Sequence, residues 1–255
     1  MIAEVEIVKV FLLVAIRFSG LMISAPILGS RNFPVVAKIG LIGMLAFLVT
    51  PSIGTLDTPL PSEALEFALM GISELMIGLV IGLVMMLAFA AIQVGGQLMD
   101  MQSGFGAMNV FNPAFETQFP IFGFFYFILA TLFLLITNGH HLMIWALIET
   151  FDTIPLGGLS PNVDLIGQMA TWGTLMFYNG LLIGAPVVAA MMLAYMTMGL
   201  MGRVVPQIHL FVIGFPISIA TALIVVALTV EVYIVFLEGM FGQMFQSVET
   251  IVHNL

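Results

Sequence analysis

The chain has 255 residues, of which 61% are hydrophobic and only 7% charged. Soluble domains carry about 25% charged residues, so this composition excludes that class and places the chain among integral membrane proteins. Five basic against fourteen acidic residues, a net charge of −9, argue against nucleic acid as a partner and against docking on anionic lipid; with no cysteine there is neither a disulfide framework nor a thiolate metal site.

Apolar runs fall at about residues 5–28, 35–50, 65–99, 121–148, 166–201 and 210–237, so the predicted fold is all-α, with about six long membrane helices. Ahead of the first run, Glu4 and Glu6 stand where a signal peptide would carry basic residues, and the segment is expected to be retained. Arg31 and Lys38 flank the turn into the second run, and Asp57, Glu63 and Glu66 follow it. The third run would reach roughly 50 Å as one straight helix, against a bilayer core of about 30 Å. It is therefore expected to continue beyond the bilayer against other protein. Along it, Gly71, Glu74, Gly78 and Gly82 share a narrow arc. Small residues four apart let helix backbones approach closely, and a carboxylate among them should face protein or water rather than lipid. Two readings of Glu74 stand: a hydrogen-bonded packing contact, or a proton relay.

Residues 95–120 form an unusual connector. Met101, Phe105, Met108, Phe111, Phe115 and Phe119 alternate with glycines, amides and few charges. Its glycines and prolines oppose a regular helix, yet it is too apolar for bulk water. Irregular backbone at membrane depth is tolerated where protein buries it or where it lines a cavity. The connector thus reads as a deformable apolar element of an assembly or pore, the alternative being an interfacial loop with aromatics at the headgroups.

In the fourth run, Asn138-Gly139-His140-His141 points to polar contacts within a bundle, because adjacent histidines diverge by about 100° on a helix and cannot chelate one metal. Glu149, Asp152 and Asp164 follow this run. Gly180 and Gly184 on the fifth repeat the close-packing spacing, and Pro186 is a candidate kink. Arg203 lies in the turn to the sixth. Six crossings with both termini outside put every basic turn in the cytoplasm. The tail has apolar residues at helical spacing, which suits a short amphipathic helix. No catalytic motif, cofactor site or metal site is found, so no enzyme is expected.

Several motifs then occur in a telling order: Arg17-Phe-Ser-Gly-Leu-Met, Ala25-Pro26, Gly29-Ser-Arg31, Pro34 and Lys38; Glu74-Leu-Met-Ile-Gly78; Gln102-Ser-Gly104-Phe105; Asn138-Gly-His-His141; Ala185-Pro186; Arg203-Val-Val-Pro206-Gln207; and Gly214-Phe215-Pro216. Over nearly its whole length the chain resembles the R-subunit family of the bacterial type III secretion export gate, in its flagellar form (the FliR/SctT family). The resemblance implies a non-enzymatic, channel-forming subunit of a gate for unfolded flagellar proteins, in the inner membrane at the flagellar basal body. It implies P and Q subunits as partners, with the switch protein and large export subunit of the apparatus, besides membrane lipid. Residues 1–165 would be a P-like helical portion with a plug loop at 100–120, residues 166–238 a Q-like hairpin, and 239–255 an amphipathic tail. Met101, Phe105, Met108, Phe111 and Phe115 become candidate pore-closing residues. Gly71, Glu74, Gly78, Gly82, Gly180 and Gly184 would pack helices on neighbouring subunits, and Arg31, Lys38, Arg203 and Gln207 would meet partners on the cytoplasmic side. The rivals are a secondary transporter of small solutes, with Glu74 and Asp100 as ion sites, and a purely structural scaffold.

Overall fold

The computed structural model describes residues 2–53, 60–61, 63–106, 120–158, 165–204 and 210–254. Met108, Phe111, Phe115 and Gln207 lie outside them. Among the described residues there is no strand. The helices are α1 (Ile2–Ser24), α2 (Val35–Val49) with a 3-10 turn at Thr50–Ile53, α3 (Ala64–Ser103), α4 (Ile121–Ile136), α5 (Gly139–Thr153), α6 (Leu165–Val204) and α7 (Leu210–Asn254). The protein is all-α, and five helical spans, α2 taken together with its 3-10 turn, are each long and apolar enough to cross a membrane. The physical reason is general: in hydrocarbon every backbone N–H and C=O must find a partner inside the chain, and a helix supplies one for each.

Prolines mark where helices begin. Pro34 precedes α2, and its carbonyl accepts the first helical bond from the Lys38 amide at 3.0 Å. Pro120 does the same for α4 through the Phe124 amide at 2.9 Å. A proline at this edge loses nothing, since the first amides of a helix have no partner within it. The third and fifth apolar runs become single helices of 40 residues each, and Pro186 lies inside α6 without ending it. The fourth run, expected as one segment, is divided. Asn138 takes the left-handed conformation, φ 56°, so α4 stops at Ile136 and a new helix starts at Gly139. Asparagine enters that region more readily than most residues, and a following glycine eases the turn. Nor is the tail a separate short helix: α7 runs unbroken for 45 residues through it.

By contact the chain forms two compact units. The first comprises Met1–Leu87, Thr137–Gln168 and Gly242–Leu255; the second comprises Ala88–Ile136 and Met169–Phe241. In the first, Leu13, Phe18 and Leu21 of α1, Ile77, Ile81 and Met85 of α3, and Met143 and Leu147 of α5 are buried. The end of α7 buries Met244, Val248, Ile251 and Val252 there while Gln243, Gln246 and Glu249 face outward, the amphipathic division read from the tail. In the second unit the core includes Phe89, Ile92 and Met99 of α3, Phe122, Tyr126 and Leu134 of α4, Val187 and Met191 of α6, and Val226, Tyr233 and Leu237 of α7. Tyr233 packs edge-on to Tyr126, ring centroids 4.3 Å apart, and donates its hydroxyl to the Tyr126 carbonyl at 2.9 Å.

Candidate functional site

Two neighbourhoods bring together residues that the sequence singles out. The first, in the first unit, is built on the face of α3 that carries Gly71, Glu74, Gly78 and Gly82. All four are buried, and their neighbour is α1 of the same chain. A Cβ placed on Gly78 would run into the Arg17 carbonyl and lie 2.9 Å from the Leu21 amide and 3.0 Å from the Cα of Gly20. One on Gly82 would strike the Ser24 side chain, and one on Gly71 would touch Ile16. The missing side chains thus let two helix backbones meet, which is how membrane helices gain dispersion contact. The sequence suggests a neighbouring subunit opposite this arc; its contacts are within the chain instead.

Glu74 sits in this contact opposite Arg17, and both side chains are fully buried. The Arg17 Nε donates to Glu74 Oε2 at 2.5 Å. Its Nη1 donates to the Thr150 hydroxyl at 2.9 Å and carbonyl at 3.1 Å, and its Nη2 to the Ile154 carbonyl at 3.3 Å. The guanidinium lies over the Phe151 ring, 4.1 Å from its centroid. The other Glu74 oxygen, Oε1, accepts from the Gly157 amide at 2.7 Å. Every arm of the pair is engaged, which is what makes a buried ion pair tolerable. The geometry is that of a packed, hydrogen-bonded contact tying α1, α3, α5 and the turn after α5. Spacing along the chain does not single out Arg17 as the partner, yet a signal exists, since a cation deep inside one apolar run calls for an anion deep inside another.

The second neighbourhood, in the second unit, surrounds the end of α3. Met101 is 69% exposed. Phe105 packs edge-on to Phe122, centroids 5.4 Å apart. Gly104 has φ +89°, a backbone region that favours glycine, and a Cβ there would lie 3.1 Å from the Phe215 ring. Three carbonyl or carboxylate groups at this end are satisfied from other helices. Tyr195 of α6 donates its hydroxyl to the Gln102 carbonyl at 2.5 Å, and Ser218 of α7 donates to the Ser103 carbonyl at 2.9 Å. Asp100 accepts from the Phe122 and Gly123 amides at 3.0 and 3.2 Å. Gly180 and Gly184 of α6 lie against Gly95 of α3, so that pair too is an internal contact.

Of the basic residues, Arg31 is exposed in the turn after α1, and Lys38 donates to the Gly29 carbonyl at 2.9 Å. Arg203 is exposed in the last turn of α6. The His140 and His141 rings lie at the start of α5 with centroids 4.1 Å apart and planes tilted by 49°, and the buried His140 Nδ1 has no hydrogen-bond partner among the described residues. They lie at the helix junction that Asn138 makes.

A family model for the bacterial export proteins, family 1, matches residues 8–244. The chain belongs to this family. Its relatives include the flagellar biosynthetic protein FliR of Escherichia coli K12, 32% identical over 241 residues that cover 94% of this chain and 91% of the relative. FliR of Bacillus subtilis 168 is 33% identical over 242 residues, covering 93% and 92%. FliR of Aquifex aeolicus VF5 is 26% identical over 255 residues, covering 98% and 96%. Matches of such extent take in both neighbourhoods, so the buried ion pair and the α3–α4 junction belong to a bacterial export protein of family 1.

Proposed function

We propose that the chain is a channel-forming subunit of the flagellar type III protein export gate, and that it contributes the pore-closing element. The observation that carries this reading is the stem of the apolar connector. Gly104 and Phe105 leave α3 braced on Phe215 and Phe122, while the last carbonyls of α3 are held by hydroxyls of Tyr195 and Ser218. A glycine-jointed apolar segment on a braced stem suits a constriction that excludes water and ions by dewetting. Met101, Phe105, Met108, Phe111 and Phe115 are the candidate residues of this element in this reading, with Phe105 at its braced base.

Partner subunits are supported by the helices themselves. Only 11% of the apolar window of α2, 22% of α6 and 17% of α7 is buried inside the chain, so most of that surface is left for lipid and for P- and Q-type neighbours. Residues 1–165 act as the P-like portion, 166–238 as the Q-like hairpin, and 239–255 as the tail. Arg31, Lys38, Arg203 and Gln207 face the switch protein and large export subunit on the cytoplasmic side of the inner membrane. Unfolded flagellar proteins pass, and the driving energy comes from elsewhere in the apparatus. A solute transporter using Glu74 and Asp100 as ion sites is disfavoured, because the oxygens of both carboxylates already accept hydrogen bonds from the chain.

The test is deletion of residues 104–111 in the assembled gate. Cells that overproduce the deleted form should leak ions or small molecules. A deletion that assembles normally and leaks no more than the intact protein would refute the pore-closing role.

A further inference from the structure

Asp100 has no basic residue close to it in sequence, and its place in the fold gives it a different use from an ion pair. It sits three positions before the end of α3 and is 4% exposed. One oxygen accepts from the Phe122 amide and the other from the Gly123 amide. Those amides belong to the first turn of α4, where backbone N–H groups have no partner within their own helix and the helix dipole favours negative charge. A side chain near the end of one helix therefore caps the start of the next. The two helices also touch directly, since a Cβ on Gly96 would collide with the Cα of Gly123 and lie 2.6 Å from its nitrogen. Tyr195 and Ser218 hold the neighbouring carbonyls of Gln102 and Ser103.

We infer that Asp100 is a positioning residue: it fixes the end of α3 to the start of α4, so that the chain leaves and re-enters the helical frame at one set base. This rests on the reading of the intervening segment as the pore-closing element. The carboxylate serves as a structural acceptor, held by the two amides of a helix terminus. Closure then depends on a clasp that lies outside the candidate pore-closing residues.

The experiment uses the assembled gate with its P and Q subunits, carrying Asp100→Leu, Asp100→Asn or the 104–111 deletion. Hydrogen exchange is followed in the peptide covering the first turn of α4, and ion leakage is measured on the same preparations. Losing a capping side chain should speed exchange there roughly fivefold in the leucine variant, less in the asparagine variant, which keeps one acceptor oxygen. Leakage should follow the same order. Unchanged exchange in an assembled leucine variant overturns the clasp. Faster exchange without leakage, while the deletion leaks, overturns the positioning role and leaves the pore-closing reading intact. If the deletion itself does not leak, the pore-closing reading fails and the positioning role fails with it. Should the leucine variant not assemble, the asparagine variant carries the same comparison with the same signs.

Discussion

The Arg17–Glu74 pair has unequal consequences for the two ways of removing it. Taking away Glu74 alone leaves a buried guanidinium with its main counter-charge gone, and breaking a buried pair in this way costs about 3–5 kcal/mol. Glu74→Leu should therefore lower the thermal stability of the detergent-solubilised chain strongly, and Arg17→Met should do likewise. The double variant should cost less than the two single losses added together, because neither charge is then left behind. It will not return to the starting stability, since the Thr150 and Ile154 carbonyls and the Gly157 amide lose the partners that the pair supplies. Additive losses in a double-mutant cycle would show that the two side chains are not coupled. Phe151 and Thr150 define the same pocket, so the pair is better described as a junction of three helices than as a lone salt bridge.

Glycine acts at the scale of the helix, and its effect depends on what lies opposite. Gly78→Leu must push α1 off α3, because the nearest atoms are backbone and cannot rotate away. The chain should lose protease resistance even when produced without partners. If instead the variant is folded alone and fails only in assembly, the contact with α1 is not the one that matters. Apart from its chain neighbours and the backbone of its own helix, no atom among the described residues lies within 4 Å of where a Cβ on Gly199 of α6 would stand. Gly199→Ala should be tolerated in the isolated chain and raise its stability by about 0.5–1 kcal/mol, the usual gain from replacing glycine within a helix. A loss of stability there would mean that the open face is occupied. The same element-level logic explains α3: one helix carries both Gly78, against α1, and Gly95, against α6, so it takes part in both compact units.

For the whole molecule, the distribution of basic residues makes a topological prediction that the helices do not settle by themselves. Arg31 and Arg203 should both face the cytoplasm. The chain has no cysteine, so Arg31→Cys and Arg203→Cys each introduce a single reporter. An impermeant thiol reagent applied from the periplasm of intact cells should leave both unlabelled and should label them once the inner membrane is opened. Labelling from outside at either position would reverse the proposed orientation. Helices of 40 and 45 residues span roughly 60 Å or more, twice the bilayer core, so this orientation is better tested directly than assumed from hydropathy.

The sequence by itself determined the class of this protein, because an excess of apolar residues in runs of helical length leaves hydrocarbon as the only suitable solvent and helices as the only way to pair the backbone in it. It also determined the faces on which helices meet: the Gly71, Gly78, Gly82 arc is a local property of spacing along one helix. What lay opposite each face was not legible. Spacing says that a backbone will come close, and says nothing about whether it belongs to α1 or to another chain. Arg17 and Glu74 are 57 positions apart, and Asp100 finds its donors 22 and 23 positions away. Such pairings are chosen by the packing of whole helices, a long-range competition that no single segment encodes. The break at Asn138 escapes the sequence for a related reason: an apolar run on both sides masks a turn that needs only one residue in the left-handed conformation.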